Sequence, residues 1–100
     1  MTLFDSSDFE GHEAVHAFSD AATGLRCIIA VHSTARGPAA GGCRMWPFPT
    51  SADALQDALR LSRAMSYKNA MADLDLGGGK AVIIGDSRTQ KTPALFEAFG

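Results

Sequence analysis

One long helical repeat lies between two short β-branched apolar runs, and that order excludes most simple folds. Leu25 to Ser33 is apolar and β-branched at its centre, and Lys80 to Ile84 ends in Ala-Val-Ile-Ile. Runs of this length and composition read as buried strands. From Thr50 or Ser51 to about Ala70, the residues Leu55, Ala58, Leu59, Ser62 and Met65 recur at helical spacing. Thr50 or Ser51 is a suitable cap, and Asp53 in the first turn suits the positive end of the helix dipole. Arg60 and Arg63 fall on the opposite side, with Asp53 and Gln56 as expected partners.

Around this frame the chain reads in order. Residues 12 to 19 partly alternate and predict a first strand. Asp20 to Gly24 predicts a turn, with Gly24 supplying a positive φ. The two strands then form an antiparallel hairpin. Thr34 to Pro49 predicts a long loop with apolar anchors at Met45, Trp46 and Phe48, part of which forms a further short strand. Ala72 to Gly79 predicts a second loop. Thr92 caps a last helix with Pro93 at its first position. The expected fold is α/β: a mixed sheet with flanking helices.

The bulk numbers narrow the function. One hundred residues make one small domain, and 46% hydrophobic with 20% charged residues is a globular balance. A net charge of −2 with scattered arginines carries no nucleic-acid footprint. No apolar run is long enough to span a bilayer, and the acidic start lacks the pattern of a signal peptide. Cys27 and Cys43 are too few and too far apart for a C-x-x-C motif, which predicts a reduced, cytoplasmic protein. The final Leu-Phe-Glu-Ala-Phe-Gly stops within a helical pattern, so one piece of a longer protein is expected.

The chemistry concentrates in a pair of lysines, two of only three in the chain. Lys68 lies near the C-terminus of the predicted helix, at the edge of its buried face. Lys80 follows Gly77, Gly78 and Gly79 and opens an apolar strand. A cation held against buried sequence serves a bound anion, carries a shifted pKa, or both. Gly77-Gly78-Gly79-Lys80 is not a phosphate loop. Leu74 stands where the first glycine of that motif belongs, Ala81 where Ser or Thr belongs, and the run opens a strand rather than a helix. Either a tight turn or a close backbone approach explains the glycines. Gly41-Gly42 allows the same two readings, a flexible turn or a backbone brought against a ligand.

Other polar residues read as structural. His12 and His16 on a strand would stand about 13 Å apart, too far to share a metal. His32 reads the same way, and no metal site is expected. Cys43 has no histidine nearby in sequence and is not expected to act as a nucleophile. Asp73 and Asp75 are expected to cap a turn or to pair with Arg44 or Arg63.

Three ordered segments carry a resemblance: Gly37-Pro38-Ala39-Ala40-Gly41-Gly42-Cys43-Arg44-Met45-Trp46, then Asp57 through Ala70, then Gly77 through Asp86. Together they resemble the amino acid dehydrogenases, in the leucine, valine and phenylalanine branch, over nearly the whole chain. The resemblance implies that residues 1–100 are an incomplete N-terminal domain for substrate binding and oligomerisation. It implies a downstream Rossmann domain that binds NAD, so this piece alone is expected to be inactive and to work as part of a homo-oligomer. It also implies that Lys68 binds the substrate α-carboxylate and that Lys80 is catalytic. Gly41, Gly42, Met65 and Ala40 would line the amino acid site. The implied second catalytic group, an aspartate, lies beyond residue 100. A lysine acting as a base near neutral pH needs a lowered pKa, which an apolar strand and a neighbouring cation would supply. Leucine is the first expected substrate. Ala40 and Cys43 depart from the Leu and Thr usual in leucine enzymes, which keeps valine and phenylalanine as alternatives. A reading of another class is a non-catalytic oligomerisation module.

Overall fold

The computed structural model describes residues 3–85. A single 3-10 turn, Leu3–Asp5, precedes the hairpin of β1 (Ala14–Asp20) and β2 (Leu25–Ser33). The pair is antiparallel, with Ala14 opposite Val31 and Asp20 opposite Leu25. Its turn is closed by the Asp20 carboxylate, which accepts from the Ala22 amide (3.2 Å) and the Thr23 hydroxyl (3.1 Å). Gly24 takes φ 75°, a value favourable only without a Cβ.

The expected long loop contains two short strands, β3 (Ala39–Ala40) and β4 (Cys43–Trp46). Both run parallel to β5 (Gly77–Ile84), which also pairs antiparallel with β2. β5 is therefore central, with β1 and β2 on one side and β3 and β4 on the other. β5 begins at Gly77, not at Lys80, which corrects the expected loop through Gly79. Glycine is depleted from strands for lack of a packing side chain, so the sequence pattern argues against a strand there. Packing overrides it: all three glycines are buried.

The long helix, α1 (Ser51–Met71), begins and ends by recognisable rules. The Thr50 hydroxyl oxygen accepts from the Asp53 amide at 3.2 Å and the hydroxyl donates to the Asp53 carboxylate at 3.0 Å. This is a variant of the reciprocal capping box. At the other end the Asp73 amide donates to the Ala70 carbonyl (3.0 Å) and the Leu74 amide to the Asn69 carbonyl (2.9 Å). These are the two bonds of a Schellman closure, with Asp73 at φ 56° in the position glycine usually takes.

The core has two parts. Ile28, Ala30, Val82 and Ile84 of the sheet meet Ala54 and Ala58 of α1. Leu25, Cys27 and Ile83 form the second cluster with Met45. Alternation along β5 explains the split, because Val82 and Ile84 point to one face and Ile83 to the other. α1 also buries Asp57, whose carboxylate accepts from Arg60 (2.9 Å) and Arg44 (3.3 Å). That shared carboxylate ties β4 to the helix and replaces the partner expected for Arg60. Among the described residues, no helix is long and apolar enough to cross a membrane. The helix expected from Thr92 lies outside the described residues.

Candidate active site

The site begins at an interruption. β3 and β4 keep one register against β5: Ala39 faces Gly77, Ala40 faces Gly78, and Cys43 faces Ala81. Between them Gly41 and Gly42 leave the ladder opposite Gly79 and Lys80. The Gly42 carbonyl still accepts from the Ala81 amide at 3.1 Å, which holds the break in place.

Glycine is required there for space. A Cβ on Gly41 would overlap the Gly79 carbonyl and stand 3.4 Å from Met65 Cγ. A Cβ on Gly42 would stand 3.1 Å from Lys80 Nζ, so the ammonium group occupies room that a side chain would fill. Gly41, Gly42, Met65 and Lys80 thus come together. A shallow cleft of about 200 Å³ adjoins Gly41, Gly42 and Lys80, with Ile29, Val31 and Ala39 along its apolar wall. Lys80 is the one charged residue among the described residues that line it.

The other expected site residues are more dispersed. Ala40 is half-buried beside Gly78. Lys68 lies on the last turn of α1, three residues after Met65 and so on the same side of the helix. It is exposed rather than held at the edge of an apolar face, and it lies outside the lining of the cleft. Among the described residues, the four ion pairs all belong to arginines. Arg63 pairs with Glu10 and Arg36 with Asp73 at 3.2 Å, so neither Arg44 nor Arg63 takes the partner expected for it.

The three glycines before Lys80 do not form a phosphate cradle. The Gly77 amide is used by the Pro38 carbonyl at 2.9 Å, and the run is paired with a strand on each side. Among the described residues the run forms the start of β5 and does not open a helix, so it lacks the geometry of a phosphate loop. Cys43 is exposed on β4, yet partial desolvation of its thiol raises the pKa and nearby Lys80 lowers it.

The sequence pattern missed a polar seam between the N-terminal segment and α1. His12 Nε2 donates to the Leu59 carbonyl at 2.8 Å, with the Ser62 hydroxyl 3.1 Å away. Its Nδ1 accepts from the Glu10 amide at 3.2 Å. His32 stacks edge-on at 4.7 Å and contacts the Ser66 hydroxyl through Nδ1 at 2.7 Å. His12 is buried and uses both nitrogens as a neutral ring. Burial is the main cause that lowers its pKa, and His32 and Arg63 add to it; the Leu59 carbonyl and Glu10 oppose it. A lowered folded-state value means that the unfolded chain binds the proton better. The contribution is therefore present above the unfolded value of about 6.5 and is lost as pH falls through the folded value. The melting midpoint should drop on going from about pH 7.5 to about pH 5.5, and less steeply in His12→Gln. Equal slopes would remove His12 from the account.

The described residues form an α/β domain, a mixed sheet backed by one helix, with a lysine beside backbone kept free of side chains. Comparison with known proteins resolves the class further. Residues 12–100 match the Glu/Leu/Phe/Val dehydrogenase, dimerisation domain, and the chain belongs to that family. It is 59% identical over 100 residues to a phenylalanine dehydrogenase of Bacillus thermotolerans, covering all of this chain and 26% of the relative. It is 59% identical over 99 residues to a valine dehydrogenase of Streptomyces virginiae, covering 99% of this chain and 27% of the relative. To a leucine dehydrogenase of Geobacillus stearothermophilus it is 53% identical over 100 residues, covering 100% and 27%. Its fold matches the crystal structure of L-tryptophan dehydrogenase from Nostoc punctiforme with a TM-score of 0.86 at 46% identity, over 89% of this chain and 26% of that one. The chain spans about a quarter of the length of these relatives.

Proposed function

We propose that these residues are the substrate-binding part of an NAD-dependent oxidoreductase that converts an apolar L-amino acid to its 2-oxo acid and ammonia. One observation carries the reading: Lys80 Nζ lies against Gly42, at a break in the sheet edge that Gly41 and Gly42 keep free of side chains and that Met65 adjoins. The relatives named for phenylalanine, valine and leucine support the substrate class. Leucine, our first expectation, has no advantage over the others, since the leucine relative is the least similar of the three.

In this reading Lys68 takes the α-carboxylate as a permanent cation, and its exposure suits a ligand closed over by another domain. Gly41 and Gly42 present backbone to the amino acid, with Ala40 and Met65 near its side chain. A downstream domain would hold NAD⁺, which would supply the acceptor for the hydride leaving Cα. Loss of that hydride leaves an iminium, and water adds to its carbon while Lys80 takes the water proton. The carbinolamine then expels ammonia. The assembly is a homo-oligomer in a reduced, cytoplasmic setting, which accords with the dimerisation-domain match and two free thiols.

Lys68→Ala in the full-length protein should raise KM for the amino acid by about 10- to 100-fold, the equivalent of one charge-assisted contact, and leave KM for NAD⁺ unchanged. An unchanged amino acid KM would refute the carboxylate assignment.

A further inference from the structure

The two lysines sit on different elements, Lys68 on α1 and Lys80 on β5, and the loop joining them is exposed from Ala72 to Asp75. Their spacing therefore depends on what fixes the end of α1 to the start of β5. Beside the packing of Ser62 and Ser66 over Gly78, one side-chain hydrogen bond among the described residues makes that link. Asn69 is buried, at 6% exposure, and its Nδ2 donates to the Gly77 carbonyl at 2.7 Å. The same residue is held from both sides. The Gly77 amide donates to the Pro38 carbonyl at 2.9 Å, just before the strand that leads to Gly41 and Gly42. The Asn69 carbonyl accepts from the Leu74 amide at 2.9 Å, which completes the helix closure after Lys68. The segments carrying Lys68, Lys80 and the Gly41-Gly42 break thus converge on Gly77, and the Asn69 side chain joins α1 to it.

We infer that Asn69 is a positioning residue that holds Lys68 at its working distance from Lys80, and that it thereby sets affinity for the substrate carboxylate. The inference rests on the dehydrogenase reading of the two lysines. Asn69 need not touch substrate, since its amide is committed to Gly77. Its loss removes the hydrogen bond that ties the end of α1 to Gly77 and frees the turn that carries Lys68. Displacement of a binding group by about 1 Å is enough to cost as much as 100-fold in a well-aligned site.

The test uses the full-length enzyme and two variants, Asn69→Ala and Asn69→Asp. The readouts are KM for the amino acid, KM for NAD⁺, and calorimetric affinity of the cofactor-free protein for a non-reacting branched-chain carboxylate. Asn69→Ala should weaken carboxylate affinity and raise amino acid KM about tenfold, with KM for NAD⁺ unchanged. Asn69→Asp keeps the shape but donates only when protonated, and burial raises the pH at which that proton is lost. Its defect relative to the parent should therefore be small at low pH and should grow as pH rises, whereas that of Asn69→Ala should not vary. A folded Asn69→Ala with both amino acid values within twofold of the parent would overturn the inference. If that variant fails to fold, a parent-like Asn69→Asp at every pH overturns it instead. Lys68→Ala measured alongside separates the two claims. A defect in Lys68→Ala with silent Asn69 variants removes only the positioning role, while a silent Lys68→Ala removes the reading beneath it.

Discussion

Lys80→Ala in the full-length protein should lower kcat by about 10²- to 10⁴-fold, the range a positioned acid–base group contributes, with little change in stability. The small stability cost follows from its surroundings. Lys80 is half-buried in the middle of β5, where its backbone pairs with Ala30 whatever the side chain. None of the ion pairs among the described residues uses it. Its ammonium group ends beside Gly42, so truncation opens space over a glycine and does not uncover a packed core. The catalytic cost follows from the proposed reaction, in which Lys80 takes the proton from water. Parent-like turnover would show that Lys80 is a bystander. A large loss of both folding and activity would also count against this account, since it would make the lysine structural.

Gly78→Ala should show the opposite pattern, a loss of stability of about 3 kcal/mol, the upper part of the usual range for overpacking. Its added Cβ would overlap the Ser66 amide nitrogen and hydroxyl oxygen and stand 2.5 Å from the Ser62 carbonyl. Two of those three contacts are helix backbone, so the strain can be relieved only by moving α1 off the sheet. Gly79→Ala is the internal control. Its Cβ would meet Ala39 Cβ at 3.3 Å and the Ala30 carbonyl at 3.5 Å, contacts that shift by a few tenths of an ångström. Its cost should stay below about 1 kcal/mol, as for mild core changes. Urea midpoints of the two variants measured together check the contrast, and equal midpoints would mean that α1 does not press on β5 as described.

These two glycines also mark where the sequence stops being legible. The hairpin, the Thr50 cap and the span of α1 follow from local rules, because turn chemistry and helical spacing are properties of neighbouring residues. β5 could be read from Lys80 onward on its apolar run, but Gly77, Gly78 and Gly79 look like a loop until the passing helix is known. Ala39–Ala40 and Cys43–Trp46 are too short to announce themselves and become strands only because β5 lies alongside. Asp57 and Asn69 were invisible for a related reason. Apolar spacing places carboxylates and amides on the solvent side of a helix, yet both are buried here by partners on other segments. Their sequence signal was position: Asp57 adjoins the buried Ala58, and Asn69 lies seven residues, two helical turns, after the buried Ser62. Within the site, the resemblance named Gly41, Gly42, Met65 and Lys80, and the structure brings them together. It places Lys68 outside the cleft, on an exposed turn whose role depends on what closes over it.

The central claim is that Lys80, on the central strand beside the Gly41-Gly42 break, serves oxidative deamination of an amino acid. The most direct measurement is NADH formation by the full-length protein with leucine, isoleucine, valine, phenylalanine and glutamate in parallel. The account predicts NADH with at least one apolar amino acid at a rate well above that with glutamate, with release of ammonia in equal amount. No NADH with any of the five from a folded full-length protein, or a preference for glutamate, would contradict it.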